Sequence, residues 1–170
     1  MTARLTDTPI LETERLTLRA PQASDFDSIV PFVTSERAQY IGGGADKDMG
    51  HAWRILAILT GHWHLRGFGR YTITYNSDGI GHVGVMQADN TDPIELTWTL
   101  WDGQYEGQGI ATEAAQAVLD VWQGPELIVT VHPENHASAR VAEKLGFVPD
   151  ETSEASPMGM RPFRQAGRLQ

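Results

Sequence analysis

A strand, a glycine-rich turn, a helix and a second strand follow one another between residues 94 and 132. Ile94–Leu100 alternates polar with apolar side chains, which is typical of a half-buried strand. Residues 108–122 place apolar side chains at helical spacing, and 126–132 has a continuous apolar centre that indicates a buried strand. Two strands joined by one helix pair in parallel through a right-handed crossover. The chain therefore contains a parallel pair of strands within its sheet.

The rest of the chain predicts further strands and helices. Pro31 lies inside the first predicted helix, so we expect a kink or two short helical pieces there. The order is strand, two helices, three strands, helix, strand, helix and strand, which predicts an α/β fold with a mixed central sheet and helices on both faces. The predicted elements are a strand at Arg15–Arg19, a helix capped by Ser24, a helix at Asp48–Trp63, a hairpin of Arg70–Tyr75 and Ile80–Gln87 around a turn at 76–79, a helix at Ala137–Leu145 followed by Gly146, and strands from Phe147 and over Met158–Phe163.

Composition limits the classes of function that the chain can serve. Its 170 residues suit one domain, taken as 1–170 with a core of about 9–165, and the absence of cysteine excludes disulfides and a cysteine nucleophile. The formal net charge of −9 repels nucleic acid and mildly favours cationic substrates such as protonated amines. No apolar run approaches the ~20 residues of a membrane span, and the N-terminal residues lack a secretory signal. We therefore expect a cytoplasmic protein that binds neither nucleic acid nor membrane.

The turn between the strand and the helix of this unit reads Gln104-Tyr105-Glu106-Gly107-Gln108-Gly109-Ile110-Ala111. Small residues at Gly107, Gly109 and Ala111 let a ligand approach the backbone. The first turn of the helix carries unpaired N–H groups and a partial positive charge, so the segment predicts a phosphate or diphosphate site. It is not a dinucleotide fingerprint, because Thr112 stands where the third glycine would be, and it lacks the Gly-Lys-Ser/Thr ending of a P-loop.

Three motifs in order carry a resemblance to a known family. Gln-x-x-Gly-x-Gly-x-Ala at 104–111 is followed by Asn-x-x-Ser at 135–138 and Lys-x-Gly-Phe at 144–147. This combination resembles the GCN5-related N-acetyltransferase (GNAT) superfamily. Residues 11–19 and 109–114 are similar to its RimJ/RimL-like branch, which acetylates ribosomal-protein N-termini. The resemblance covers about residues 9–150 and implies the acyl-CoA N-acyltransferase fold, acetyl-CoA as donor and an amine as acceptor.

The resemblance also implies where the donor lies. Its diphosphate would rest on backbone N–H groups of about Gln108–Thr112, and its pantetheine arm along Thr97–Trp101. If the two parallel strands splay, their freed backbone groups would bind the arm like an added strand, with Asn135 as a further partner. The residues implied for acetyl-CoA are Thr99, Leu100, Trp101, Gln104, Gly107, Gln108, Gly109, Ile110, Ala111, Thr112, Asn135 and Ser138.

Aminolysis of a thioester needs a proton acceptor, a stabilised oxyanion and a proton for the leaving thiolate. Relatives often carry a catalytic glutamate where Glu95 stands, so Glu95 is the implied base, directly or through a water; the alternative is a solvent-facing or salt-bridged residue. A backbone N–H near Thr99 or Leu100 would hold the oxyanion. Many relatives carry a tyrosine as the acid where Ala142 stands. Here the implied acid is Ser138, whose alternative role is to bond backbone at the helix start.

Several alternatives stay open on the sequence alone. The chain is a catalytic N-acetyltransferase, a non-catalytic module that binds or senses acyl-CoA, or a transferase of a longer acyl group. The acceptor is a protein or peptide N-terminus by family analogy, or a small-molecule amine, and 42–63 and 149–157 should flank its pocket. Oligomer statistics favour a homodimer. No metal is expected, because no metal-ligand spacing relates His62, His64, His132 and His136.

Overall fold

A computed structural model of the chain describes residues 8–90, 93–153 and 159–166. Within these ranges the strands of the central sheet are β1 (Leu11–Glu12), β2 (Thr17–Arg19), β3 (Arg70–Tyr75), β4 (Asp78–Met86), β5 (Glu95–Leu100), β6 (Ile128–Val131), β7 (Phe147–Pro149) and β8 (Arg161–Gln165). They lie side by side in the order β1-β2-β3-β4-β5-β6-β8-β7. Neighbouring strands are antiparallel except β5 and β6, which are parallel, as the strand–helix–strand unit predicts.

Helices cover both faces of this sheet. They are α1 (Phe26–Val33), α2 (Met49–Arg66), α3 (Ile110–Val121) and α4 (His136–Lys144). The first core packs α3 and α4 against the sheet, and the second core groups α1 and α2 around Trp101. Successive residues of β3 show the division, because Ile73 lies in the first core whereas Thr72 bonds Asp25 beside α1. The predicted fold class, a mixed sheet with helices on both faces, is confirmed.

The start of α1 differs from its prediction. Ser24 is not the helix cap, because it lies inside the 3-10 helix Ala23–Asp25 and α1 begins only after it. The buried Asp25 carboxylate accepts hydrogen bonds from both terminal nitrogens of Arg19, at 2.6 and 3.0 Å, and from the Thr72 hydroxyl at 2.7 Å. This local structure is therefore set by contacts with β2 and β3, which capping residues alone do not predict.

Pro31, β1 and Gly146 are three places where the structure can be compared with local signals in the sequence. Pro31 lies inside α1, which runs unbroken from Phe26 to Val33, so the predicted division into two short helical pieces at Pro31 is not observed, and the alternative of a kink stays a prediction. A separate 3-10 helix, Glu36–Ile41, follows beyond the end of α1. The sequence does not predict β1, because two residues are too few for an alternating pattern. Gly146 follows α4 with φ of 82°, the left-handed conformation that ends many helices.

The hairpin and the last strand lie close to their predicted places. Asn76 and Ser77 form the turn with φ of 49° and 74°, so β4 begins at Asp78, earlier than predicted. The final strand begins at Arg161, and the predicted start at Met158 lies outside the described residues.

Candidate active site

The strands β5 and β6 pair only at their first residues. Glu95 is in register with Ile128, and the Ile128 amide donates to the Ile94 carbonyl at 3.0 Å. Farther along, β6 still pairs with β8 on its opposite edge. Beyond Glu95, no described residue pairs with the edge of β5 that faces β6. The two parallel strands therefore splay, which is the condition that the sequence set for binding an extended ligand between them.

The alternation of the β5 backbone decides which of its groups face this gap. The Trp101 amide donates to the Ile80 carbonyl beside β4 at 2.8 Å, whereas the Ile94 carbonyl faces β6. Successive residues of a strand direct their N–H and C=O groups to opposite edges. The Leu100 amide therefore points into the gap, and the Thr99 amide points toward β4. Of the two amides considered for the oxyanion, only that of Leu100 has a suitable direction.

A cleft of about 480 Å³ opens at the gap. The first turn of α3 and one side of α4 border it on one face of the sheet, and the 3-10 helix Glu36–Ile41 borders it on the other. Because these elements belong to opposite faces, the cleft passes through the sheet between β5 and β6. The predicted donor-site residues that line it are Thr99, Leu100, Gly107, Gly109, Ile110, Ala111, Thr112, Asn135 and Ser138.

The turn before α3 leaves its backbone open. Gly107 and Gly109 have φ of 73° and 78°, in the left-handed region that glycine adopts at little cost. A Cβ on Gly107 would meet no described atom within 4 Å, and one on Gly109 would meet only the Arg15 guanidinium, at 3.7 Å. Gly109 is the N-cap of α3, and no side chain caps the helix. The first N–H groups of α3 can therefore bind an anion.

Asn135 and Ser138 stand where α4 meets the cleft. The Asn135 side-chain oxygen accepts the Ser138 backbone N–H at 3.1 Å and so caps α4. That bond leaves the Asn135 side-chain N–H groups for the cleft. The Ser138 hydroxyl makes no hydrogen bond to another residue of the described chain, so the backbone-bonding role considered for it is not observed. Ala142, one turn further on, is fully buried in the first core.

Glu95 lies at the base of the splay, half-buried, and is not among the residues that border the cleft. Its Oε2 accepts the Thr130 hydroxyl at 2.7 Å, a bond that joins β5 to β6. Within the described chain it forms no ion pair at salt-bridge distance, although Arg70 is near enough for the two charges to interact. Burial lowers the pKa of Arg70 to about 10, and the Glu95 charge opposes that change.

Trp101, Gln104 and Gln108 lie outside the lining of the cleft. The Trp101 ring is buried in the second core, where its Nε1 donates to Nδ1 of His82 at 3.1 Å. Burial, and then the charge of Arg70, hold the pKa of His82 well below its usual range. The Gln108 side-chain amide donates to the Gln104 carbonyl at 2.6 Å, so these two residues shape the turn from within.

Several residues that line the cleft were not predicted from the sequence. Arg140, Val141 and Lys144 lie on the helix face that Ala137 begins, so extending the helical spacing of three and four residues from Ala137 would have found them. The 3-10 helix has neither helical nor alternating periodicity, and nothing in its sequence points to the cleft. The residues found only in the structure are Phe32, Arg37, Gln39, Tyr40, Ile41, Glu106, Ala137, Arg140, Val141 and Lys144.

The described part of the chain contains neither a metal-binding cluster nor a membrane-spanning helix. There, no group of three or more His, Asp and Glu side chains could hold a metal ion. The His62 ring instead lies at hydrogen-bond distance from the backbone of Phe68, 2.8 Å away. Over the same residues, no α-helix combines the length and the apolar character that crossing a bilayer requires.

The sheet order, the splayed strands and the through-sheet cleft define the acyl-CoA N-acyltransferase fold. Residues 15–148 match the family described as the acetyltransferase (GNAT) domain, and the chain belongs to that family. A solved acetyltransferase from Agrobacterium tumefaciens str. C58 is 32% identical with a TM-score of 0.82, over 96% of this chain and 98% of that chain.

RimL and YnaD are also similar to this chain. RimL, described as a ribosomal L7/L12 alpha-N-protein acetyltransferase in complex with coenzyme A, has the same fold at 18% identity and a TM-score of 0.68, over 91% of this chain and 94% of that chain. YnaD, an uncharacterized N-acetyltransferase of Bacillus subtilis (strain 168), is 33% identical over 72 residues. That match spans 40% of this chain and 42% of the length of YnaD.

Proposed function

We propose that the chain is an N-acetyltransferase that moves an acetyl group from acetyl-CoA to a primary amine, at a protein or peptide N-terminus or on a small molecule. One observation carries the proposal. A cleft passes through the sheet between two splayed parallel strands and ends at the open N-terminus of α3. RimL, whose fold this chain shares, is described in complex with CoA, which supports CoA as the ligand.

Two parts of the cleft suit the two chemically different parts of CoA. A diphosphate needs N–H donors and a positive potential, and the first turn of α3 at Ile110–Thr112 offers both. The pantetheine arm carries amides, which can pair with the freed edge of β5 at Trp98 and Leu100 as an added strand would. The side-chain N–H groups of Asn135 supply a further donor to the arm.

When bound, acetyl-CoA supplies a thioester whose carbonyl carbon accepts the amine nitrogen while the thiolate leaves. The Leu100 amide, directed into the gap, stabilises the negative charge that develops on the carbonyl oxygen. Glu95 takes up the amine proton through a water, because its carboxylate stands back from the cleft and is held by Thr130. Ser138 gives a proton to the sulfur, because its hydroxyl borders the cleft.

The acceptor approaches from the face that the 3-10 helix borders, where Tyr40 and Ile41 line the cleft. The Tyr40 ring stacks against His132 at the end of β6, with ring centroids 4.6 Å apart. The formal net charge of −9 mildly favours the approach of a cationic amine to the molecule as a whole. The cytoplasmic location, the homodimer and the assignment of all 170 residues to one domain stay predictions from the sequence.

Release of free thiol from acetyl-CoA, followed with a panel of amines, tests this proposal. Peptides with free N-termini, amino acids and polyamines cover the acceptor classes, and mass spectrometry identifies the acetylated product. We expect thiol release with at least one of them. Tight binding of CoA without turnover on any amine would instead support an acyl-CoA-binding module. Faster release from longer acyl-CoA thioesters than from acetyl-CoA would assign a different acyl group.

A further inference from the structure

Glu113 lies in the first turn of α3, at the helix end proposed to bind the CoA diphosphate. A helical side chain leans toward the helix N-terminus, so the Glu113 carboxylate lies over the turn that begins at Gly109. An uncompensated carboxylate at this place would repel the diphosphate and weaken the positive potential of the helix end. If α3 holds an anion, the chain has to offset this charge.

Thr13 and Arg15 surround the Glu113 carboxylate with donors. The Thr13 hydroxyl and the Arg15 backbone N–H reach Oε1 at 2.6 and 3.0 Å. The Arg15 guanidinium binds Oε2 through Nε at 2.7 Å and through Nη2 at 2.6 Å. Burial by itself would raise the pKa of Glu113, but the hydrogen bonds from Thr13 and Arg15 outweigh it and lower this pKa. The carboxylate is therefore ionised and compensated at neutral pH.

The remaining guanidinium nitrogen of Arg15 reaches the turn before α3. Its Nη1 donates to the Gln108 carbonyl at 3.1 Å, next to the N-cap residue Gly109. All three guanidinium nitrogens of Arg15 thus have partners within the protein, and Arg15 is not among the residues that line the cleft. The side chain is placed to act on the turn and on Glu113 rather than on the ligand directly.

We propose that Arg15 is a positioning residue for CoA, which offsets the Glu113 charge and fixes the turn that presents the N–H groups of α3. The inference rests on the proposed binding of CoA at this helix end. It also gives a physical reason for the two segments 11–19 and 109–114 to occur together. Their contact joins residues 98 and 100 positions apart in the chain, and only the fold creates it.

Calorimetric binding of CoA at low and high salt tests this role in the unaltered chain, Arg15→Met, Glu113→Gln and the double variant. Arg15→Met removes the cation and leaves the carboxylate only the Thr13 hydroxyl and the backbone N–H of residue 15 as donors, so affinity should fall about tenfold at low salt and by less where salt screens the repulsion. Glu113→Gln removes the charge and should bind CoA at least as tightly as the unaltered chain. The double variant should recover to within about threefold of that affinity, because the two sites are coupled.

Pantetheine, which lacks the diphosphate, is the control ligand, and its affinity should be equal in all four proteins. The positioning role is wrong if Arg15→Met binds CoA like the unaltered chain. It is also wrong if the double variant is as weak as Arg15→Met, because the loss of affinity would then not come from the Glu113 charge. If Arg15→Met fails to fold, Glu113→Gln and Arg15→Lys provide the test. CoA binding by Glu113→Gln that is weaker than that of the unaltered chain would overturn the role. CoA binding by Glu113→Gln that is equal or tighter, together with weaker CoA binding by Arg15→Lys, would support it. An unaltered chain that binds no CoA would overturn the proposed function too, which separates the two failures.

Discussion

Among the single residues of the site, Glu95 is tested by a charge-neutral substitution. Glu95→Gln keeps an oxygen for the Thr130 hydroxyl but cannot take a proton, so turnover should fall about 10²-fold or more. CoA affinity should stay within about twofold, because Glu95 does not line the cleft. Steady-state kinetics with the best amine and CoA calorimetry measure the two effects. Glu143→Gln, at an exposed site on α4, is the matched control and should keep full turnover. Unchanged kinetics in Glu95→Gln would remove this residue from the mechanism.

Ser138 and Asn135 are neighbours in the cleft but have different expected effects when replaced. Ser138→Ala keeps the backbone N–H that Asn135 caps, so the unfolding free energy should hold while turnover falls roughly tenfold. Asn135→Ala removes the cap of α4 and should cost about 1 kcal/mol of stability, in addition to weakening CoA binding. Chemical denaturation without ligand and kinetic assays separate the two. Full turnover by Ser138→Ala would show that another group protonates the sulfur.

The sequence predicts residues of the proposed site where the residue type itself indicates a local backbone conformation. The glycines at 107 and 109 are needed for positive φ, and that need can be read from the residue type alone. The choice of Leu100 over Thr99 could not be read, because it depends on which edge of β5 faces β6. The sequence also does not show that the Trp101 ring points into the second core, because that direction follows from packing between α1, α2 and the sheet.

At the scale of elements, the N-terminus of α3 is tested by a matched pair of glycines. Gly109 caps α3 at φ 78° and ψ 1°, and Gly67 ends α2 at φ 74° and ψ 3°. Both are exposed and neither is crowded, so Gly109→Trp and Gly67→Trp should lose similar stability, about 1–2 kcal/mol, from left-handed backbone. Only Gly109→Trp should abolish CoA binding, since its ring would occupy the place of the diphosphate. Thermal unfolding and calorimetry measure both quantities, and equal CoA affinity in the two variants would contradict the assignment.

Elements could be predicted where periodicity runs long enough to fix their type. The strand β3 has the bounds Arg70–Tyr75 that its alternation predicts, and α2, α3 and α4 lie within a few residues of their predicted ranges. The shortest strand, β1, pairs with β2 and packs Leu11 against the first core, and no local pattern reveals either contact. The 3-10 helix that borders the cleft could not be predicted either, because its sequence has no periodic pattern and its position is set by packing in the second core.

At the scale of the whole molecule, two acidic side chains beside the proposed anion site form salt bridges with arginines. The chain carries a formal net charge of −9, which opposes the binding of an anion such as CoA. Glu113 is paired with Arg15, and Glu106 in the glycine-rich turn is paired with Arg37. Arg37 also donates to the Trp101 carbonyl at 2.7 Å, so it joins the second core to that turn. The charges of Glu113 and Glu106 are therefore offset, which helps the helix end to keep its positive potential.

The stability of the whole molecule should depend on pH through His82, which lies between the sheet and the second core. Burial and the Arg70 charge lower the pKa of His82 from its usual 6.5, so in acid the folded state binds fewer protons than the unfolded state. Stability is then fully present above pH 6.5 and falls as the pH drops toward the lowered pKa, by at most about 1.4 kcal/mol per pH unit. His82→Asn offers Trp101 an acceptor but cannot be protonated, so its stability should change less over this window. Urea unfolding between pH 7.5 and 5, run on both proteins at constant ionic strength, measures the two slopes. Parallel slopes would show that His82 does not couple protons to folding.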